Sequence, residues 1–385
     1  MTIACVYNDP AVRQHCLDRS IEAYDGPVEV EYLPVDNTEH AFTSAGAALN
    51  HAVRLAHHEV VVLVHQDVYL HDVDRLAAAA SALEDPRWGV LGASGVTADR
   101  RFVGRLRDRV ILIGEPAATP VPVDTLDEVL VMARREDLLA EPLREDLDLA
   151  WHAYAVEYAL RVRGGGRLAG AVDTAITHNS LTTNLARLQE AHQYVGRLYP
   201  DLMPLHTTCG TVTAPRPDWR NLPLVRGQRW RLAWLRQSRS AARVGQALGV
   251  PVVLADIAHE VDLLDFSSSN PLHLLNLDLH AEPAGTFAAL AGEPVVLERK
   301  GRPVVMSSVA RHDELDALLA DVAPEDHVLV TGLSQADLPR LRPRMQRGEW
   351  LAGVQWGEVW LLGGPGAVSP PDAWTRPRAV PLGAA

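Results

Sequence analysis

The chain is short of the residues that mark specialised protein classes. It has three cysteines in 385 residues, Cys5, Cys16 and Cys209. An odd number with no CxxC pair argues against a disulfide framework or a cysteine zinc cluster, and suits a reducing compartment. No window approaches the roughly 18–20 consecutive apolar residues of a membrane-spanning helix. The first residues lack the basic stretch and apolar run of a secretory leader, so the expected localisation is cytoplasmic. Positive charge is in deficit: the formal net charge is −13, which argues against nucleic acid as a general partner. Lys300 is the only lysine, the other basic residues being arginine, a coding bias that says nothing of function. With 47% hydrophobic and 22% charged residues the chain is ordinary globular material, and its length favours two domains.

The most informative stretch is residues 59–70, EVVVLVHQDVYL. A run of aliphatic, mostly β-branched residues reads as a strand buried on both faces of a parallel sheet. Polarity arrives abruptly at His65, Gln66 and Asp67, where such a strand reaches its carboxyl end, the edge at which open α/β sheets gather ligands. Residues 2–7 form an earlier strand closed by Asn8-Asp9-Pro10. Residues 11–24 have helical spacing, with Val12, Cys16, Arg19 and Ala23 along one face, and residues 28–35 alternate as a second strand. Ala45, Ala48, Leu49, Ala52, Val53 and Ala56 make an amphipathic helix with Thr43 or Ser44 as its N-cap. The order β-α-β-α-β predicts a doubly wound parallel sheet. A helix over 72–83, a strand at 88–93, an arginine-rich hairpin at 99–114 and a strand-like run ending at Met132 follow. Residues 150–163 predict a strong helix, its apolar stripe including Trp151, Tyr154 and Tyr158, stopped by Gly164-Gly165-Gly166.

Val35-Asp36-Asn37, Phe42-Thr43-Ser44-Ala45, Ala48-Leu49-Asn50 and His65-Gln66-Asp67-Val68-Tyr69-Leu70, followed by Leu126-Asp127-Glu128, the helix Tyr154 to Arg163 and His178, resemble family 2 glycosyltransferases. Within these the chain is similar to the small subgroup related to a streptomycin-biosynthesis protein, in which HQD stands where most members have Asp-x-Asp. The resemblance covers about residues 1–200. It implies a GT-A fold, a nucleoside-diphosphate sugar donor, and Mn²⁺ or Mg²⁺.

On that footing Asp67 is the first expected metal ligand, because hard cations take oxygen ligands and leave part of their shell to substrate phosphates. His65 removes one acidic contact from the motif, and His178 is the expected second ligand. Asp36 with Asn37, Tyr7 with Asn8, and Asn50 are expected to bind the nucleotide. Asp127 and Glu128 are expected on the donor sugar's hydroxyls. Inverting transfer requires a base for the acceptor hydroxyl. Ala155 stands where relatives have that aspartate, so Glu157 is the nearest candidate, with Asp146 and Asp148 as rivals. Glu157 and Arg161 at i, i+4 are equally explained as a surface ion pair.

The composition shifts at 213–222, where prolines suggest a linker. Residues 219–255 hold seven arginines and no acid. The segment 220–243, with Trp230 and Trp234 among arginines, reads either as an interdomain helix or as a peripheral contact with an anionic membrane face. Strand-like runs between 251 and 364 predict a second, smaller α/β domain without GxGxxG or P-loop, and the tail after Gly366 reads as disordered. The expected organisation is therefore a GT-A domain at 1–212, a basic linker at 213–250, an accessory domain at 251–365 and a tail at 366–385. The expected activity is inverting, metal-dependent sugar transfer to a glycan, lipid-linked or small-molecule acceptor, with oligomerisation left open. The alternative is a catalytically reduced module that binds a sugar nucleotide or glycan without turnover.

Overall fold

The computed structural model describes residues 1–214, apart from 109–110 and 179–186, and beyond them mainly the seven strands of a second sheet between 252 and 363. The fold is mixed α/β with a large parallel-rich sheet. Its parallel part is built on β1 (Thr2–Tyr7), flanked by the edge strand β2 (Glu31–Asp36) and by β3 (Val60–His65), with Thr2 opposite Glu31 and Val61. Successive β3 side chains point to opposite faces. Val61 and Leu63 join α1 (Ala45–Leu55) in one apolar layer, whereas Val62 and Val64 join Leu17, Val73 and Leu76 in the other. Both faces are therefore covered, as the continuous apolar run required. Leu76 belongs to α2 (Val73–Ser81), which follows the short β4 (Val68–Leu70).

The sheet departs from the wholly parallel expectation. After β5 (Trp88–Gly92) the chain makes no helical crossover. It passes through short strands at Gly95–Val96, Phe102–Val103 and Thr125–Leu126, and re-enters the sheet as β9 (Leu130–Arg134). Between them lie β6 (Leu106–Asp108), β7 (Ile111–Ile113) and the edge strand β8 (Val121–Pro122). A return without a crossover can only lie antiparallel, and β9 runs antiparallel between β3 and β5, Leu130 opposite Val64. Residues 127–129 thereby enter the sheet at the edge where β3 leaves it, and the His65 amide donates to the Val129 carbonyl at 3.1 Å.

Local differences have local causes. The first helical stretch contains a π turn, Gln14–Asp18. Its wider pitch rotates the face, burying Val12, Cys16, Leu17 and Ser20 while Arg19 and Ala23 stay exposed. Ser44, not Thr43, caps α1 by accepting from the Ala47 amide. The helix expected from residue 150 begins later, as α3 (Tyr154–Gly164), because Ala150 and Ala153 adopt left-handed backbone at φ 48° and 55°. Trp151 is consequently 40% exposed rather than part of the apolar stripe. The helix stops at its glycines, Gly166 taking φ 84°. The chain continues through β10 (Leu168–Ala171), parallel to β5, then β11 (Ile176–His178) and α4 (Leu188–Leu198).

Within α3, Glu157 is fully buried. Its Oε1 accepts from Arg144 Nε at 3.1 Å, Arg161 Nε at 3.2 Å and the Tyr199 hydroxyl at 2.7 Å, and its Oε2 from Arg161 at 3.1 Å. The pair with Arg161 is thus no surface ion pair but half of a buried cluster joining α3 to the segments on either side.

In the second half, the described strands form a mixed sheet in the order Val252–Ala255, Trp350–Val354, Val359–Gly363, His327–Thr331, Leu272–Leu277, Arg302–Val309, Val295–Arg299. Among the strand-like runs expected between 251 and 364, the one at 260–266 (EVDLLDF) lies outside the described residues, as do the basic segment 220–243 and the tail beyond 366. No described helix is long and apolar enough to cross a membrane.

Replacing Glu157 by Gln leaves two arginines without their buried counter-charge. Both arginines keep contact with solvent, so the loss is that of weakened charge-assisted hydrogen bonds, about 1.5–3 kcal/mol. The E157Q midpoint in urea is expected to fall below that of the wild type. An unchanged midpoint would show that the arginines find water instead.

Candidate functional site

A small four-stranded sheet builds the site. β11 lies between β4, antiparallel to it, and β6, parallel to it, so that His178 is opposite Val68 on one side and Asp108 on the other. Paired residues on neighbouring strands share a face, which brings Asp108 against His178. Asp67, one residue before Val68, closes the row. His178 Nδ1 is 2.9 Å from Asp108 Oδ1, and its Nε2 is 3.4 Å from Asp67 Oδ1. His65, at the carboxyl end of β3, comes from the main sheet, its ring centroid 5.7 Å from that of His178. Ligand atoms of His65, Asp67 and His178 all lie within 4.8 Å of one another.

The electrostatics fit a cation. Burial would raise the Asp67 carboxyl, but His178 and His65 overcome it and hold it well below the usual carboxylate range. Burial pulls the His178 imidazole downward, and the facing Asp67 and Asp108 overcome that and hold it well above its ordinary value. Without a cation His178 is a charged group between two carboxylates; a cation takes the place of its Nε2 proton. Asp108 then keeps Nδ1–H in place, so that the Nε2 lone pair faces Asp67, the carboxylate–histidine–metal arrangement of known metal sites. Burial lowers the His65 imidazole, favouring the neutral form that a ligand needs. The Tyr154 hydroxyl donates to the Glu128 carbonyl at 3.2 Å and stands 3.3 Å from His65 Nε2. The tautomer with its proton on Nε2 then leaves Nδ1 a lone pair.

Around this cluster the expected binding residues divide into two groups. Gln66 ties the end of β1 to the site: its Oε1 accepts from the Asn8 and Asp9 amides at 3.0 Å, and its Nε2 donates to Asn8 Oδ1 at 2.8 Å. Asp36 is exposed at the same edge, its Oδ1 accepting from the amide and hydroxyl of Thr38, while Arg13 lies over the Tyr7 ring at 3.9 Å. Tyr7, Asn8 and Asp36 remain open to a ligand. Asn37 and Asn50 do not. Asn37 is buried and exchanges hydrogen bonds with the Phe42 backbone. Asn50 is buried between the Leu143 backbone and the Glu145 carboxylate. Both hold loops, and their expected ligand contacts are corrected accordingly.

Asp127 and Glu128 sit on the turn into β9, partly exposed. Asp127 accepts from the Val129 amide at 2.9 Å and from the Thr208 hydroxyl. The Glu128 carboxylate faces the amides of Ala153 and Tyr154 at the start of α3. Of the expected bases, Glu157 is sealed and has both oxygens engaged, so its post is structural. Asp146 is partly exposed but lies 3.4 Å from Arg144, and Asp148 is 3.7 Å from Arg197; neither has a described contact with the metal-type cluster.

Two members of the cluster go beyond the sequence expectation. His65 joins as a ligand candidate where it was read only as a lost acid, although its i, i+2 spacing to Asp67 was a signal. Asp108 had none, lying in a hairpin read as arginine-rich.

No protein-family model matches the chain, and no curated protein sequence matches it. Among solved structures it is similar to a mannosyltransferase, PcManGT, from Pyrobaculum calidifontis in complex with GDP-Man and Mn²⁺, at 19% identity and TM-score 0.36, covering 52% of this chain and 63% of that one. It is also similar to GalNAc-T7 with UDP, GalNAc and Mn²⁺, at 10% identity and TM-score 0.36, covering 52% and 47%. A third likeness is to a fragment of TarS from S. aureus, at 16% identity and TM-score 0.34, covering 51% and 64%. The chain therefore spans less than two thirds of the length of each, and the site stands on its own geometry.

Removing the partner that orients a ligating histidine typically weakens metal binding about 10- to 100-fold. Asp108→Asn is expected to weaken Mn²⁺ binding within that range, measured by titration calorimetry. Unaltered affinity would remove Asp108 from the site.

Proposed function

We propose that this chain is a metal-dependent glycosyltransferase of GT-A type, taking its sugar from a nucleoside-diphosphate donor and transferring it with inversion to a hydroxyl acceptor. The observation that carries the reading is the His65–Asp67–His178 cluster at the carboxyl edge of β3, beside the acidic turn of Asp127 and Glu128. A bound divalent cation there stabilises the charge that develops on the departing nucleoside diphosphate. The chain's own residues do the rest. Asp36 and Tyr7, at the edge of β2 and β1, bind the nucleoside. Gln66 fixes the Asn8 loop against the cation site, and Asp127, held by Thr208 and the Val129 amide, accepts from the donor sugar's hydroxyls.

The donor set indicates which cation. Mg²⁺ favours an all-oxygen shell, whereas imidazole nitrogen is a better ligand for later first-row metals. Two histidines and one carboxylate therefore favour a first-row transition ion over Mg²⁺, and of these Mn²⁺ best keeps the affinity for carboxylate and phosphate oxygen that a diphosphate donor needs. The likeness of residues 1–200 to the streptomycin-biosynthesis-related subgroup belongs to the proposal as well, as do cytoplasmic placement and a separate accessory domain at 251–365, which rest on composition and on strand-like runs.

Ala155 and the sealed Glu157 favour a second reading, in which the fold binds a sugar nucleotide without turnover. Calorimetric titration with UDP-glucose, UDP-N-acetylglucosamine, GDP-mannose and dTDP-glucose, each with Mn²⁺, with Mg²⁺ and with chelator, tests both. One donor is expected to bind with Mn²⁺, more weakly with Mg²⁺, and in Asp67→Ala more weakly by over about 100-fold, beyond what losing an outer hydrogen-bond partner costs. Binding without any nucleotide release would favour the second reading. Absence of binding by all four would sink both.

A further inference from the structure

Resting on that reading, we infer that Glu128 is the catalytic base, the carboxylate that takes the proton of the acceptor hydroxyl. Three observations carry it. The residue as a whole is half-buried rather than sealed like Glu157, which leaves one side for an acceptor to approach. Its carboxylate accepts from the Ala153 and Tyr154 amides at the start of α3, where Ala153 takes left-handed backbone and no side chain of its own segment caps the helix. That is the N-terminus of the helix on which position 155 carries only a methyl group, so Glu128, arriving from β9, occupies the place a helix-borne acid would take. Finally, Glu128 is linked to the cation cluster through one side chain: the Tyr154 hydroxyl donates to its carbonyl and meets His65.

Burial and the neighbouring Asp127 push its carboxyl up to about 8 against the opposing amides. A carboxylate of that basicity is better matched to a hydroxyl proton near neutral pH than an ordinary one.

The step balances without a further reactant. The acceptor oxygen forms its bond to the anomeric carbon of the sugar as its proton passes to Glu128. The bond from that carbon to the diphosphate oxygen breaks, and its electron pair leaves with the nucleoside diphosphate. Glu128 later returns the proton to water. Water itself can stand in as acceptor, giving slow donor hydrolysis.

The test uses the full chain with Mn²⁺ and the four donors named above, reading donor affinity by calorimetry and nucleoside diphosphate release with water as acceptor. In Glu128→Gln, whose carbonyl still accepts from both amides, release is expected to fall about 100-fold or more while donor affinity stays within about twofold. Glu128→Asp is expected to recover part of the rate. Release from Glu128→Gln within threefold of wild type overturns the assignment and leaves the transferase reading intact. Donor binding by the wild type without any release also overturns the assignment, because a base poised for a hydroxyl acts on water too, and it favours the binding-only reading. Failure of every donor to bind the wild type removes the transferase reading and this assignment with it.

Discussion

The antiparallel pairing of β9 with β3 is the constraint on which the site depends. Parallel neighbours deliver their carboxyl ends to one edge, but each strand then brings only the residues that follow it. Because β9 runs the other way, the residues before it arrive at that same edge. Asp127 and Glu128 thus face the turn at His65–Asp67 without any long loop to carry them. Had the chain crossed over by a helix after β5, this acidic turn would lie at the opposite end of the sheet.

The second constraint is charge. Asp67, Asp108 and His178 sit in a row with the imidazole between the carboxylates, and burial opposes the charged forms of Asp67 and His178. The row holds because each charge answers another, the condition under which buried ionic groups persist. Asp67, His65 and His178 could hold a divalent cation in the same row, which would replace the Nε2 proton's charge while Asp108 balances Nδ1–H. One arrangement therefore serves both states.

Much of this was legible in the sequence, and what was not has identifiable reasons. The β3 run and the amphipathic spacing of α1 are periodic signals, and they gave the parallel core. Asp67 was visible because polarity breaks a buried strand abruptly. The reversal of β9 was not, since Val131 and Met132 look the same in either direction and only pairing decides. Nor was Asp108, because its meaning depends on the register of β6 against β11, a contact across 70 residues. Glu157 illustrates the opposite error: an i, i+4 pair with Arg161 looks like a solvated helix face, and nothing local reveals that Arg144 and Tyr199 close over it. The late start of α3 was hidden for a similar reason, because alanine is a strong helix former and here Ala150 and Ala153 are held in left-handed turns by their surroundings.

That late start has a chemical consequence. A helix beginning at residue 150 would engage the Ala153 and Tyr154 amides in its own hydrogen bonds and carry Trp151 and Tyr154 on one stripe. Beginning at Tyr154, it leaves its first N–H groups facing outward, where helix termini favour negative charge by about 0.3–1 kcal/mol. With no acid at 155 to use them, they orient a carboxylate from another strand. Their pull is smaller than the opposing effects of burial and Asp127, so Glu128 is held in one place yet remains basic. A residue that must accept a proton needs both properties: fixed geometry and incomplete stabilisation of its anion. Glu157, bound by two arginines and a phenol, has the first without the second.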